Sequence, residues 1–126
     1  MIRAYDPLNA PDPDDWQSMD EGERMMLVTE HHRRAGVKLP NAQAHAAIHV
    51  IVENQIALGD ETSAPAALKR LMRDGLDRHE AIHAVGSVLA DYMQALVRGD
   101  AAPGATERYD EELEKLTAAK WLETLR

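Results

Sequence analysis

Two long runs of apolar residues at helical spacing dominate this chain, one from Ala42 to Leu58 and one from Asp77 to Met93. At about 100° per residue, Ala44, Ile48, Ile51, Val52, Gln55 and Ile56 fall on one arc of the first run. Ile82, Val85, Leu89, Met93 and Leu96 do the same in the second. Asn41 supplies an N-cap and Gly59 a stop for the first run. Asp77 caps the second, with Glu80 at the third helical position in a variant capping box, and Gly99 ends it. Between the two, Ser63-Ala64-Pro65 starts a further helix that runs to Asp74. Gly75-Leu76 then predicts a Schellman ending, with Leu76 folding back on Leu71 or Met72 and a tight corner into the next helix.

The ends of the chain are less regular. Pro7, Pro11 and Pro13 predict an irregular arm over residues 1–15, pinned by Trp16. Ser18 with Glu21 spells a capping box, and the helix that follows runs through Met25-Met26-Leu27-Val28 to Gly36. At the other end, Asp100 to Ala105 reads as a linker and Thr106 as the cap of a fifth helix. Tyr109, Leu113 and Leu116 lie on one side of that helix, whereas Ala118, Trp121, Leu122 and Leu125 lie on another. It therefore bends near Lys120 or packs its end on a second surface, such as another subunit. The expectation is an all-α, compact bundle of about five helices. Its second helix (42–58) and its fourth, from the Asp77 cap to the Gly99 stop, are central and adjacent, in a single domain spanning 1–126, with an arm (1–15) and a helical part (16–126).

Composition narrows the function classes. The chain has 126 residues, 44% of them hydrophobic, enough for one core. Phe is absent and aromatics make up only 4%, so that core is aliphatic. The absence of Cys excludes disulfides, thiolate metal sites and cysteine nucleophiles. A net charge of -8 opposes nucleic-acid and anionic-lipid partners. With no h-region at the start and no run of about 18 apolar residues, a soluble, cytoplasmic protein is expected.

The candidate chemistry lies in the histidines. His79-Glu80-Ala81-Ile82-His83 spells HExxH, in which two imidazoles one helical turn apart can hold zinc while the Glu serves as general base. Against a metallohydrolase, Glu80 falls on the polar side with Asp91 and Arg98, the motif begins in the first turn, and no third ligand is evident downstream. His45-Ala46-Ala47-Ile48-His49 repeats the His spacing, and Glu53 extends that line by one more turn toward the polar side. Both pairs sit at the same phase beside their apolar arcs, and HAAIHVIVENQIA and HEAIHAVGSVLAD share both His, the Ala and the Ile. Gly86, in mid-helix at a cost of about 1 kcal/mol, marks a close helix-helix contact on the His edge. If the two helices pack there, His45, His49, His79 and His83 converge on one zinc or iron ion, with Glu53 as the oxygen ligand and Glu80 left as a cap. His31 and His32 are expected to serve the C-terminal carbonyls of the first helix, one of them in solvent.

With these segments in hand, ENQIALGD at 53–60 and GLDRHEAIHAVGSVLA at 75–90, residues about 42 to 97 resemble a family of small bacterial helical proteins, domain of unknown function 1841. The resemblance implies an all-α fold and paired histidines at His45, His49, His79 and His83, and it carries no activity. Two function classes follow: a metal-binding helical protein, and an interaction or regulatory module without metal, docking a protein partner through its acidic surface or last helix. The unpartnered side of the last helix also predicts a homodimer.

Overall fold

In the computed structural model, residues 2–99 and 104–125 are described, and they form seven α-helices and one 3-10 turn with no strand among them. The helices are α1 (Pro13–Ser18), α2 (Glu21–Arg34), α3 (Ala42–Ala57), α4 (Ala64–Arg73), α5 (Arg78–Val97), α6 (Ala105–Lys115) and α7 (Ala118–Thr124); the 3-10 turn is Gly59–Glu61. The all-α bundle expected from the pattern is present. α3 and α5, its two long apolar runs, pack against each other at its centre.

Two extra helices have local causes. Pro13 does not block a helix but begins one, because it stands in the first turn, where its missing N–H is not needed; Asp12 accepts from the amide of Asp15 at 3.0 Å. Ser18 is then the last residue of α1, and Asp20 rather than Ser18 caps α2 through the Glu23 amide at 2.8 Å. The expected fifth helix divides at Leu116, which is extended, and the Thr117 hydroxyl restarts the helix by accepting from Lys120 at 3.1 Å. The break precedes Lys120, and it lets Ala118 and Trp121 return to the core while Leu122 and Leu125 stay exposed. Thr106 is not the cap of α6; Gly104, in the left-handed region at φ 91°, precedes that helix. The linker expected over 100–105 lies mostly outside the described residues.

The corner between α4 and α5 forms as the sequence predicts. Gly75 takes φ 112°, its amide donates to Met72 at 3.1 Å and the Leu76 amide donates to Leu71 at 3.2 Å, a Schellman motif that buries Leu76. Ser63 does not cap α4, its hydroxyl being drawn to the Asp110 carboxylate on α6.

α3 is buried on two sides. Val52, with Ile48, Ile51 and Ile56, faces the main cluster formed with α4, α5 and α6, including Leu68, Leu71, Ile82, Val85, Leu89 and Leu113. Ala46 and Val50 face a second cluster with Tyr5, Trp16 and Val28 from the arm, α1 and α2. Trp16 fastens this second layer: it is fully buried and its indole N–H donates to Asn54 of α3 at 2.8 Å.

Gly86 marks the α3–α5 contact. A methyl group on Gly86 would stand 2.6 Å from Cγ2 of Ile48, closer than two carbons can sit. In Gly86→Ala the overpacking, about 1–3 kcal/mol, opposes a helix-propensity gain of about 1 kcal/mol, and the net change is destabilising. In an Ile48→Leu background, which lacks that branch methyl, the same substitution should become neutral or stabilising. Denaturant unfolding of the double-mutant cycle checks the reversal of sign.

Candidate metal centre

All six histidines of the chain gather in one place. His31 and His32 come from the end of α2, His45 and His49 from α3, and His79 and His83 from the first two turns of α5. The i, i+4 pairs of α3 and α5 face each other because the Gly86 contact sits one to two turns along the same edge of α5.

The centre of the group is His49, which is completely buried. Its Nε2 lies 3.2 Å from Nε2 of His45 and 3.1 Å from Nε2 of His83. Nitrogens sharing one ion at about 2.1 Å, with angles of roughly 90–110°, stand about 3.0–3.4 Å apart. Both residues of the α3 pair and His83 of the α5 pair therefore stand at such spacing about His49, whereas Nε2 of His79 has no hydrogen-bond partner. His45, His49 and His83 can place one ligand nitrogen each within 4.8 Å of one another, and so can His32, His49 and His79.

Behind His49 stands a buried polar chain. Tyr5 lies 3.1 Å from Nδ1 of His49 and donates its hydroxyl to Oε2 of Glu53 at 2.6 Å. Arg78 grips the same carboxylate with two bonds, Nη2 to Oε1 at 2.7 Å and Nη1 to Oε2 at 2.9 Å, and also donates to the Pro7 carbonyl at 2.9 Å. Glu53 and Arg78 are 2% and 5% exposed, so each charge depends on the other. Burial, and then the charge of Glu53, push the Tyr5 hydroxyl far above its ordinary range, so it stays protonated. Burial alone would lower Arg78, but the Glu53 carboxylate outweighs it and the guanidinium is raised. With the Tyr5 proton committed to Glu53, the contact to His49 requires an Nδ1–H that donates to the phenol oxygen. His49 is then the tautomer whose bare Nε2 faces the other imidazoles.

Glu53 is thus placed differently from the expected oxygen ligand. It lies in the core rather than toward the polar side, both its oxygens accept from Arg78 and Tyr5, and it belongs to neither triad. Asp77 caps α5 by accepting from the Glu80 amide at 2.8 Å. Asn54 and Gln55 of α3 turn to other partners, Asn54 accepting from Trp16 and Gln55 from Tyr109.

Sequence reasoning missed two contributors. His32 turns inward, is only 6% exposed, and bonds through Nδ1 to the Val28 carbonyl one turn back at 2.9 Å; His31 is half-buried rather than solvated. The signal for His32 was its spacing of four from Val28, the buried residue of α2. Tyr5 lay in a stretch read only as an irregular arm.

Desolvation lowers the pKa of His49 to about 2, with the neighbouring imidazoles adding to it, and lowers His83 to about 4 for the same reasons. Burial also lowers His31, His45 and His79. These imidazoles are neutral at neutral pH, the form that ligates metal. Comparison with family models, with curated proteins and with solved structures finds no match for this chain.

Two predictions concern the metal-free protein. As pH falls through about 6.5, the unfolded chain takes up protons at these positions while the folded chain does not, reaching the lowered values only near 4 for His83 and 2 for His49. Stability should therefore fall on acidification below about 6.5. A urea midpoint, measured with chelator present, that is no lower at pH 5 than at pH 7.5 would contradict this. Glu53→Ala should cost about 3–5 kcal/mol in unfolding free energy, because Arg78 is left buried without its counter-charge. Adding Arg78→Met should restore part of that loss.

Proposed function

We propose that this protein binds a divalent transition-metal ion, zinc or iron, through imidazoles of α3 and α5: His45, His49 and His83, with His79 beside them. Glu53 serves the ion indirectly, by fixing the orientation of His49 through Tyr5. Partners that hold the outer nitrogen of a ligating imidazole set its tautomer and raise its basicity. The observation that carries the proposal is the meeting of three Nε2 atoms at 3.1 and 3.2 Å around a His49 whose opposite nitrogen is already engaged. Burial opposes charging these imidazoles, so their lone pairs stay free at neutral pH, and one metal ion engages several of those lone pairs at once. Glu80 takes no part as a base, and no hydrolytic chemistry is assigned to the site.

Elemental analysis of the untagged full chain, expressed with supplemented zinc or iron, tests the proposal. Stoichiometric metal is expected in the parent protein, and its absence after supplementation would favour a metal-free interaction module. His49→Ala should lose the metal, whereas Glu80→Gln should keep it. A ligand that binds only the folded state at about 100 times its Kd adds about 2.7 kcal/mol of stability. The parent should gain that amount on metal addition, and His49→Ala should gain nothing.

A further inference from the structure

Of the three buried side-chain nitrogens without a hydrogen-bond partner among the described residues, one is the Trp121 indole and the other two are imidazole nitrogens beside His45, His49 and His83. Nε2 of His32 and Nε2 of His79 are shut off from solvent, and neither has a hydrogen-bond partner. Native proteins rarely leave such atoms unsatisfied, because each forfeits its hydration for nothing. The Val28 carbonyl can only accept, so Nδ1 of His32 is the donor there and Nε2 is the nitrogen left to ligate.

The two triads, His32-His49-His79 and His45-His49-His83, could be taken for two sites. His49 forbids this, because its Nδ1–H is committed to Tyr5 and the single remaining lone pair can serve only one ion. The packing of the rings agrees. The His49 centroid stands 4.9 Å from His32, 4.8 Å from His45, 5.2 Å from His79 and 5.0 Å from His83, nearly equidistant from all four. Around it the four form a circuit, with steps of 4.8 Å from His32 to His45, 4.9 Å on to His83, 4.3 Å on to His79 and 6.2 Å back to His32.

We infer that the two triads are one mononuclear centre, in which His49 is the common ligand and His32, His45, His79 and His83 surround it, so that five imidazoles from three helices hold a single ion. This rests on the ion-binding function proposed above and adds α2 to the site. Every donor is a neutral nitrogen, and the nearby charge of Glu53 is matched by Arg78. Such a set suits zinc, iron, cobalt, nickel or copper and disfavours calcium and magnesium, which require oxygen.

Cobalt(II) is the probe, because its visible absorption is intense in four-coordinate tetrahedral sites and weak in five- or six-coordinate ones. The metal-free, untagged full chain is titrated, and the cobalt-loaded parent is examined by X-ray absorption. One equivalent is expected, with weak bands and a nitrogen shell larger than four. His32→Phe, which keeps a ring in place, and His79→Ala should each weaken cobalt affinity by at least roughly tenfold, the lower end of what loss of an outer partner costs. His31→Ala, a neighbour outside the circuit, should leave affinity and spectrum unchanged, and circular dichroism checks the fold of each metal-free variant. Should His32→Phe fail to fold, the parent's nitrogen count and spectrum decide alone. Two equivalents, or one equivalent with an intense tetrahedral spectrum, would overturn the five-imidazole centre while leaving ion binding intact. Failure to take up any cobalt would remove both.

Discussion

The bidentate Arg78–Glu53 pair, buried between α5 and α3 beneath Tyr5, is the interaction on which the candidate site depends. Neither charge could be placed there alone, since removing the partner of a buried ion costs several kcal/mol. Together they join the two central helices near the start of α5. They also leave Glu53 with an acceptor position for Tyr5, and that one bond carries the order outward: it spends the phenol proton, which makes His49 donate from Nδ1 and turn its lone pair toward the neighbouring rings. The arm is recruited by the same pair, because Arg78 also holds the Pro7 carbonyl.

Packing then supplies the opposite wall. α3 is buried against α5 on one side and against the arm, α1 and α2 on the other, so a stripe of residues along its axis lies between the two apolar clusters. His45, His49 and Glu53 occupy that stripe at intervals of one turn. Setting neutral imidazoles there costs less than setting charges, yet it leaves lone pairs and N–H groups that water would otherwise satisfy. The histidines answer part of this by bonding one another, and Nε2 of His32 and His79 are left over.

Much of this arrangement was legible in the sequence because it rests on helical periodicity. The two apolar runs, the N-caps Asn41 and Asp77, the Gly75-Leu76 corner and the small residue Gly86 all point to α3 and α5 meeting on their His edges. Glu53 was misplaced because one apolar arc was read on α3 where there are two. At the same increment Ala46 and Val50 form a second arc beyond the stripe, and their burial against Tyr5 and Val28 depends on an arm that the pattern left unstructured. The division into α6 and α7 depends on the backbone at a single residue, Leu116, whose extended conformation no periodic pattern announces.

The central claim is that the buried ion pair sets the tautomer of His49 and so presents its Nε2 to the site. Long-range proton–nitrogen correlation of the metal-free chain at neutral pH, with the imidazoles labelled in nitrogen-15, reads this directly. The account predicts that His49 is neutral, protonated at Nδ1 and bare at Nε2, and that Tyr5→Phe disturbs this state. A His49 protonated at Nε2, or charged at neutral pH, would contradict it.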